Sequence, residues 1–386
     1  MKRMKKRHIA IRNGTLLSLA LLGIGAGIYF LYPDRRAASS AEVSAVPTPY
    51  SDRHITLNAI IADPRFSDLR FFRKEKSVAS VRSPLPKSEL RAAPSSSENG
   101  TWLWTPLLEI TPEYRASIIK GAAENGVRTI YLSLDSYLDI FVLPEGEEKE
   151  AKREAFDRAL EAFIREAHAE GLSVDAEGGW RNWAESGHEY KAFAILDYAA
   201  EYNRTHAEKL RGLQYDIEPY LLSYYKGSER AVLRNFIALT HAIVGRLEGS
   251  DLELSMVIPE FYDGTSDLAP RFFYGPRYAY AFDHLLNALD RRPGSRIIVM
   301  AYRSSALGEN GSIAIAEGEV AAAVGRKTTI VVAQETAGDL PPHITFHGRP
   351  RSYYDEQTRL IERAFANKES FGGLATHYVN TFLTLR

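Results

Sequence analysis

Apolar and polar positions alternate with a regular beat from Thr101 to the end of the chain. Eight short runs rich in β-branched and aromatic residues read as strands: 101–105, 129–134, 173–177, 212–218, 252–259, 296–302, 328–334 and 373–377. Between them, over 112–125, 149–170, 189–210, 229–247, 278–289, 313–324 and 353–367, apolar residues return every three or four positions. That spacing predicts helices with one buried stripe. Strands and helices in strict alternation predict an α/β fold, a (β/α)8 TIM barrel over 101–386. A doubly wound open sheet competes, but it would use fewer strands and a glycine-rich phosphate turn, and the sequence contains neither GxGxxG nor a Walker-type loop.

The N-terminal hundred residues follow a different pattern. A basic stretch over 1–14 precedes 18 uncharged residues, 15–32, just enough for a helix to span a bilayer. Six Lys or Arg lie before this run and two, Arg35 and Arg36, close behind it. The balance predicts a cytoplasmic tail and transmembrane signal anchor over 1–36, with the barrel on the extracytoplasmic side, periplasmic or extracellular. Val43-Ser44-Ala45 offers small residues for cleavage but lies far from the apolar run, so a retained anchor is expected. Residues 37–100 read as a linker and a partly ordered extension, with Ser, Pro and charge concentrated over 77–100.

Composition narrows the chemistry. The chain of 386 residues has no cysteine, which excludes disulfides, thiolate metal sites and a thiol nucleophile. The net charge of −1 hides an asymmetry: outside the first 36 residues there are 40 basic and 48 acidic residues. An acidic body argues against nucleic acid as a partner. His343 and His347 are four apart, but Pro341 and Pro342 oppose the helix such a metal pair would need. No metal or organic cofactor is expected, and the sequence leaves the oligomeric state open.

The densest chemical signal is the run Gly-Leu-Gln-Tyr-Asp-Ile-Glu-Pro-Tyr, residues 212–220. As a strand it would project Gln214, Asp216 and Glu218 from one face, with the carboxyls roughly 6–7 Å apart. Two carboxyls so placed resist joint ionisation, and a proton donor beside a fixed anion suits acetal cleavage. A solvated surface strand would carry the same polar face, but the flanking helices and apolar opposite face oppose that reading. Polar residues expected at other strand ends are Glu177, Glu260, Tyr302, Arg303, Gln334, Glu335, His377 and Asn380. The tryptophans fall at the ends of strands one (Trp102, Trp104) and three (Trp180, Trp183), where flat rings could stack on sugars. Trp102 and Trp104 suit core packing equally well, whereas Trp180 and Trp183, in a polar loop, are expected to contact ligand.

Three segments together resemble motifs of glycoside hydrolase family 18, the chitinases and related endoglycosidases: Ala176-Glu177-Gly178-Gly179, Asp216-Ile217-Glu218 and Met300-Ala301-Tyr302-Arg303. The resemblance is distant and covers the barrel. It implies that Glu218 is the general acid, that Asp216 orients a substrate acetamido group acting as internal nucleophile, and that Tyr302 hydrogen-bonds that group. Arg211 and Gln214 stand where the family's strand-four motif has aspartates, Arg303 replaces its strand-six aspartate, and His377 replaces its strand-eight tryptophan. An alternative within the same fold is a retaining glycosidase with Glu335 as nucleophile and Glu218 as acid/base. A second alternative is a non-catalytic glycan-binding or cell-wall protein on a glycosidase barrel. In each enzymatic reading the partner is a carbohydrate, contacted also by Gln214, Glu177, Trp180, Trp104, Glu260, Arg303, His377 and Asn380.

Overall fold

The computed structural model describes residues 98–386. The basic tail, the apolar run 15–32, the Val43-Ser44-Ala45 site and residues 37–97 of the extension lie outside the described residues. Among the described residues no helix is long and apolar enough to cross a membrane.

Eight parallel strands form the barrel: β1 (Glu98–Leu103), β2 (Thr129–Ser133), β3 (Ser173–Gly178), β4 (Gly212–Tyr215), β5 (Glu253–Pro259), β8 (Arg296–Met300), β9 (Thr329–Glu335) and β10 (Phe371–His377). They close in the order β1-β10-β9-β8-β5-β4-β3-β2. The predicted (β/α)8 barrel is therefore present. Its first strand begins at Glu98, so residues 98–100, read as the end of the linker, belong to it. A small antiparallel hairpin, β6 (Phe272–Tyr274) and β7 (Arg277–Ala279), interrupts the connection after β5. The sequence pattern had merged β7 with the following helix.

The outer layer contains α1 (Pro112–Glu124), α2 (Tyr137–Phe141), α3 (Glu147–Ala169), α4 (Tyr190–Thr205), α5 (Glu229–Arg246), α6 (Ala281–Leu289), α7 (Ser312–Ala322), α8 (Arg351–Phe365) and α9 (Val379–Phe382). Helix α1 starts where Thr111 accepts a hydrogen bond from the Tyr114 amide and Pro112 takes the first turn. Helix α3 buries Phe156, Leu160, Phe163, Ile164 and Ala167 along one stripe. Its outer face carries i,i+4 pairs such as Lys152–Glu148. Barrel strands have both faces covered, which is why they read as continuous apolar runs. Gly100 is dictated by packing, since a β-carbon there would lie 2.3 Å from the Tyr131 hydroxyl.

The amino-terminal ends of the strands, the floor of the barrel, are tied by ions. Arg211, just before β4, donates to both carboxylate oxygens of Asp175 at 2.8 and 2.5 Å and to Glu98 at 2.7 Å. Arg296 pairs with Glu253 at 2.7 Å and with Glu98 at 3.4 Å. Burial pushes the Glu98 carboxyl up, but Arg211 and Arg296, with hydrogen bonds from Arg211 and Thr129, outweigh it and hold Glu98 below its ordinary value. Arg211, which stands at a motif aspartate position of the resembled family, is thus a floor residue, about 13 Å along the strand from Tyr215.

Candidate active site

The two central carboxyls do not sit on a strand as expected. Ladder pairing in β4 stops at Tyr215, and Asp216, Ile217 and Glu218 continue as irregular chain. Pro219 has no amide to donate, and Glu218 turns (φ −111°, ψ 67°) into a short 3-10 turn over Pro219–Leu221. Strict alternation of side chains along β4 therefore stops before Asp216. Asp216 still donates its amide to the Gly178 carbonyl at 3.1 Å. Gly179 lies so close that a β-carbon would be 2.3 Å from the Asp216 carbonyl oxygen. Gly179, just after β3, thus leaves room for the Asp216 backbone, which links two segments that the sequence had connected only by resemblance.

Asp216 and Glu218 share a neighbour that the sequence reading missed. The Tyr220 hydroxyl donates to Oε1 of Glu218. Burial pushes this hydroxyl well above the ordinary phenol range, and the charge of Glu218, the hydrogen bond to it, Tyr262 and Asp216 add to the rise. Glu218 thus meets a buried phenol at the mouth of the barrel, and the charge of Asp216 acts on the same hydroxyl. The Tyr220 ring meets Phe261 and Tyr262 edge-on, at 5.2 and 6.3 Å between centroids. The available signal was proximity in sequence: Tyr220 is two residues beyond Glu218, and Tyr262 falls just after the end of β5.

In the ring order β10 lies four strands from β4, directly across the cylinder. That wall is aromatic. The His377 ring is 5.8 Å from Trp102, 5.8 Å from Trp104 and 6.2 Å from Tyr302. Tyr302 follows β8 and His377 ends β10, with β9 between them, so rings this close must both face the interior. His377 is held on two sides: its Nδ1 is 2.8 Å from Oε2 of Glu335, and its Nε2 is 3.0 Å from the Trp104 indole nitrogen. An indole N–H only donates, so Nε2 accepts and Nδ1 carries the proton donated to Glu335. Oε1 of Glu335 accepts the Thr336 and Ala337 amides, both at 2.7 Å, and the residue is 0% exposed. This is the environment of an orienting anion.

The other predicted residues divide. Glu177 is buried near the end of β3, in register with Gln214. Gln214 is itself fully buried beside Ser255 of β5, and its amide has no hydrogen-bond partner among the described residues. Glu260 and Arg303, at the ends of adjacent strands, pair at 3.2 Å, so each neutralises the other. Gln334 is tied to Ser312 of α7 at 3.1 Å and to backbone carbonyls, a packing role between strand and helix. Asn380 donates to the Tyr114 hydroxyl at 2.6 Å and fastens α9 to α1. Trp180 is half-buried beneath the Arg181 guanidinium. Trp183 corrects the expectation of ligand contact: it is buried, packed edge-on against Tyr215 at 6.5 Å.

No family model matches the sequence, and no curated protein matches it either. Among solved structures, the barrel is distantly similar to a family 18 chitinase from Pseudoalteromonas aurantia (TM-score 0.44, 13% identity, covering 73% of this chain and 94% of that one). It is also similar to the endo-1,4-beta-mannanase from Rhizomucor miehei (0.46, 9%, 72% and 85%). A D-psicose 3-epimerase from Clostridium cellulolyticum H10 reaches a comparable level (0.42, 11%, 73% and 84%). At these identities the likeness is one of fold, and no residue role is taken from it.

Proposed function

We propose that the barrel is a glycoside hydrolase in which Glu218 is the general acid and Asp216 assists. The observation that carries this reading is the carboxyl pair after β4, with Glu218 bonded by the buried Tyr220 hydroxyl, across the ring of strands from the cluster of Trp102, Trp104, Tyr302 and His377. Glu218 protonates the glycosidic oxygen as the bond to the anomeric carbon breaks. The substrate's own acetamido oxygen closes on that carbon while Asp216 holds the amide N–H. Water then opens the ring intermediate, and Glu218 takes the water's proton. In the aromatic wall Trp102, Trp104 and Tyr302 are buried, and His377, whose side chain is 18% exposed, is the ring that offers a face to a sugar.

Glu335 is assigned to orienting His377, since its oxygens are engaged by two amides and the imidazole and it has no exposed surface to offer a sugar. The reading also retains an anchor over 15–32 and an extracytoplasmic barrel, supported by the sequence pattern alone. The test is sugar release from chitin-type oligomers, mannans and envelope glycans, with ligand binding measured in parallel. Wild-type turnover that falls by about 10²–10⁴ in Glu218→Gln, with binding kept, supports the enzyme. Binding without turnover in both forms would make the barrel a glycan-binding protein instead.

A further inference from the structure

We propose that Tyr220 is the positioning residue that holds Oε1 of Glu218 and sets the pH range in which this acid carries its transferable proton, an inference resting on the reading of Glu218 as the acid. The Tyr220 hydroxyl donates to Oε1. Burial and the neighbouring carboxyl keep that phenol protonated, so it acts as a donor throughout the working range. A carboxyl oxygen that accepts such a bond is stabilised as the anion, so Glu218 releases its proton at lower pH than it would without the phenol.

The geometry that fixes this bond comes from two directions. Pro219 stands between acid and tyrosine and locks the backbone of the short turn that carries them. Phe261 and Tyr262, from the turn after β5, hold the Tyr220 ring edge-on at interplanar angles of 84° and 86°. With Tyr220 only 5% exposed, its hydroxyl cannot swing away from the carboxyl. Tyr220 thereby sets the pH range in which the acid is loaded.

The test is titration of Glu218 by NMR in the full chain with 13C-labelled glutamate, using Glu218→Gln to assign the signal. Tyr220→Phe keeps the ring and its clamp and removes one oxygen. Its Glu218 midpoint should rise by about one pH unit, the effect of one hydrogen bond to a charged group. Where a glycan is hydrolysed, the alkaline limb of kcat/KM should rise by the same interval. Tyr262→Phe, whose lost hydroxyl has no hydrogen-bond partner among the described residues, should leave the midpoint in place. A midpoint unmoved in Tyr220→Phe, or moved equally by both variants, overturns the proposal. A shift in Tyr220→Phe alone, in a protein that hydrolyses no glycan, upholds this control of Glu218 and refutes only the glycosidase reading.

Discussion

Replacing Arg211 by Met tests whether the departures from the family 18 pattern on the fourth strand belong to the fold or to the site. The substitution keeps most of the side-chain volume and removes the guanidinium that binds Asp175 and Glu98, whose side chains are 1% and 3% exposed. Glu98 keeps Arg296 at 3.4 Å, so Asp175 bears most of the loss. Breaking a buried pair from one side costs about 3–5 kcal/mol. The stranded carboxyl can escape by taking up a proton, at about 1.4 kcal/mol per pH unit, and an ordinary aspartate titrates about three units below neutrality. The loss at pH 7 should therefore approach about 4 kcal/mol and shrink to about 1.5 kcal/mol at pH 5. Urea unfolding followed by tryptophan fluorescence at the two pH values measures both. Activity of the folded variant should stay at the wild-type level, because Arg211 lies at the floor and the carboxyl pair at the mouth. A loss below about 1 kcal/mol, or one that does not change with pH, would mean that Arg211 does not hold the buried carboxylates of the floor.

Three further outcomes follow from the geometry. Glu98 is held below its ordinary value of 4.5, so its contribution to stability is complete above that pH and disappears as pH falls through the lower folded value. The stability gap between wild type and Glu98→Gln should accordingly narrow below pH 4.5 in acid titrations of unfolding. In Glu335→Gln the amide group would face the Nδ1–H of His377, driving the ring proton toward Nε2, where the Trp104 N–H already points. One bond must be lost, at about 1–3 kcal/mol, and 15N spectra of His377 should report the change of tautomer. In Gly179→Ala the new methyl would meet the Asp216 carbonyl oxygen at 2.3 Å. Stability should fall by about 1–3 kcal/mol, with turnover per folded molecule lost alongside as Asp216 moves.

The barrel was legible because its strands are apolar on both faces and its helices on one, so the two periods alternate cleanly along the chain. The hairpin at Phe272–Ala279 was not, because strands of three residues carry too little periodicity and Tyr278 fitted the start of the next helix. Asp216 and Glu218 were recognisable as a pair, but the apolar pattern runs on through Ile217 and hid the end of β4 at Tyr215. Polar residues near strand ends could be collected from sequence, yet whether each faces the mouth, a helix or another ion was hidden. Tyr302 faces His377, Gln334 faces Ser312, and Arg303 faces Glu260. Burial of Trp183 against Tyr215 was likewise unreadable, since its own loop is polar and its partner lies on another strand.

The most direct test of the central claim compares leaving groups. A good leaving group, such as 2,4-dinitrophenol, departs without a proton, whereas a sugar hydroxyl needs one. Glu218→Ala should therefore lose turnover of natural glycosidic bonds by about 10²–10⁴ while bond cleavage on the dinitrophenyl glycoside stays close to the wild-type rate. Equal losses on both substrates would mean that Glu218 donates no proton to the departing oxygen.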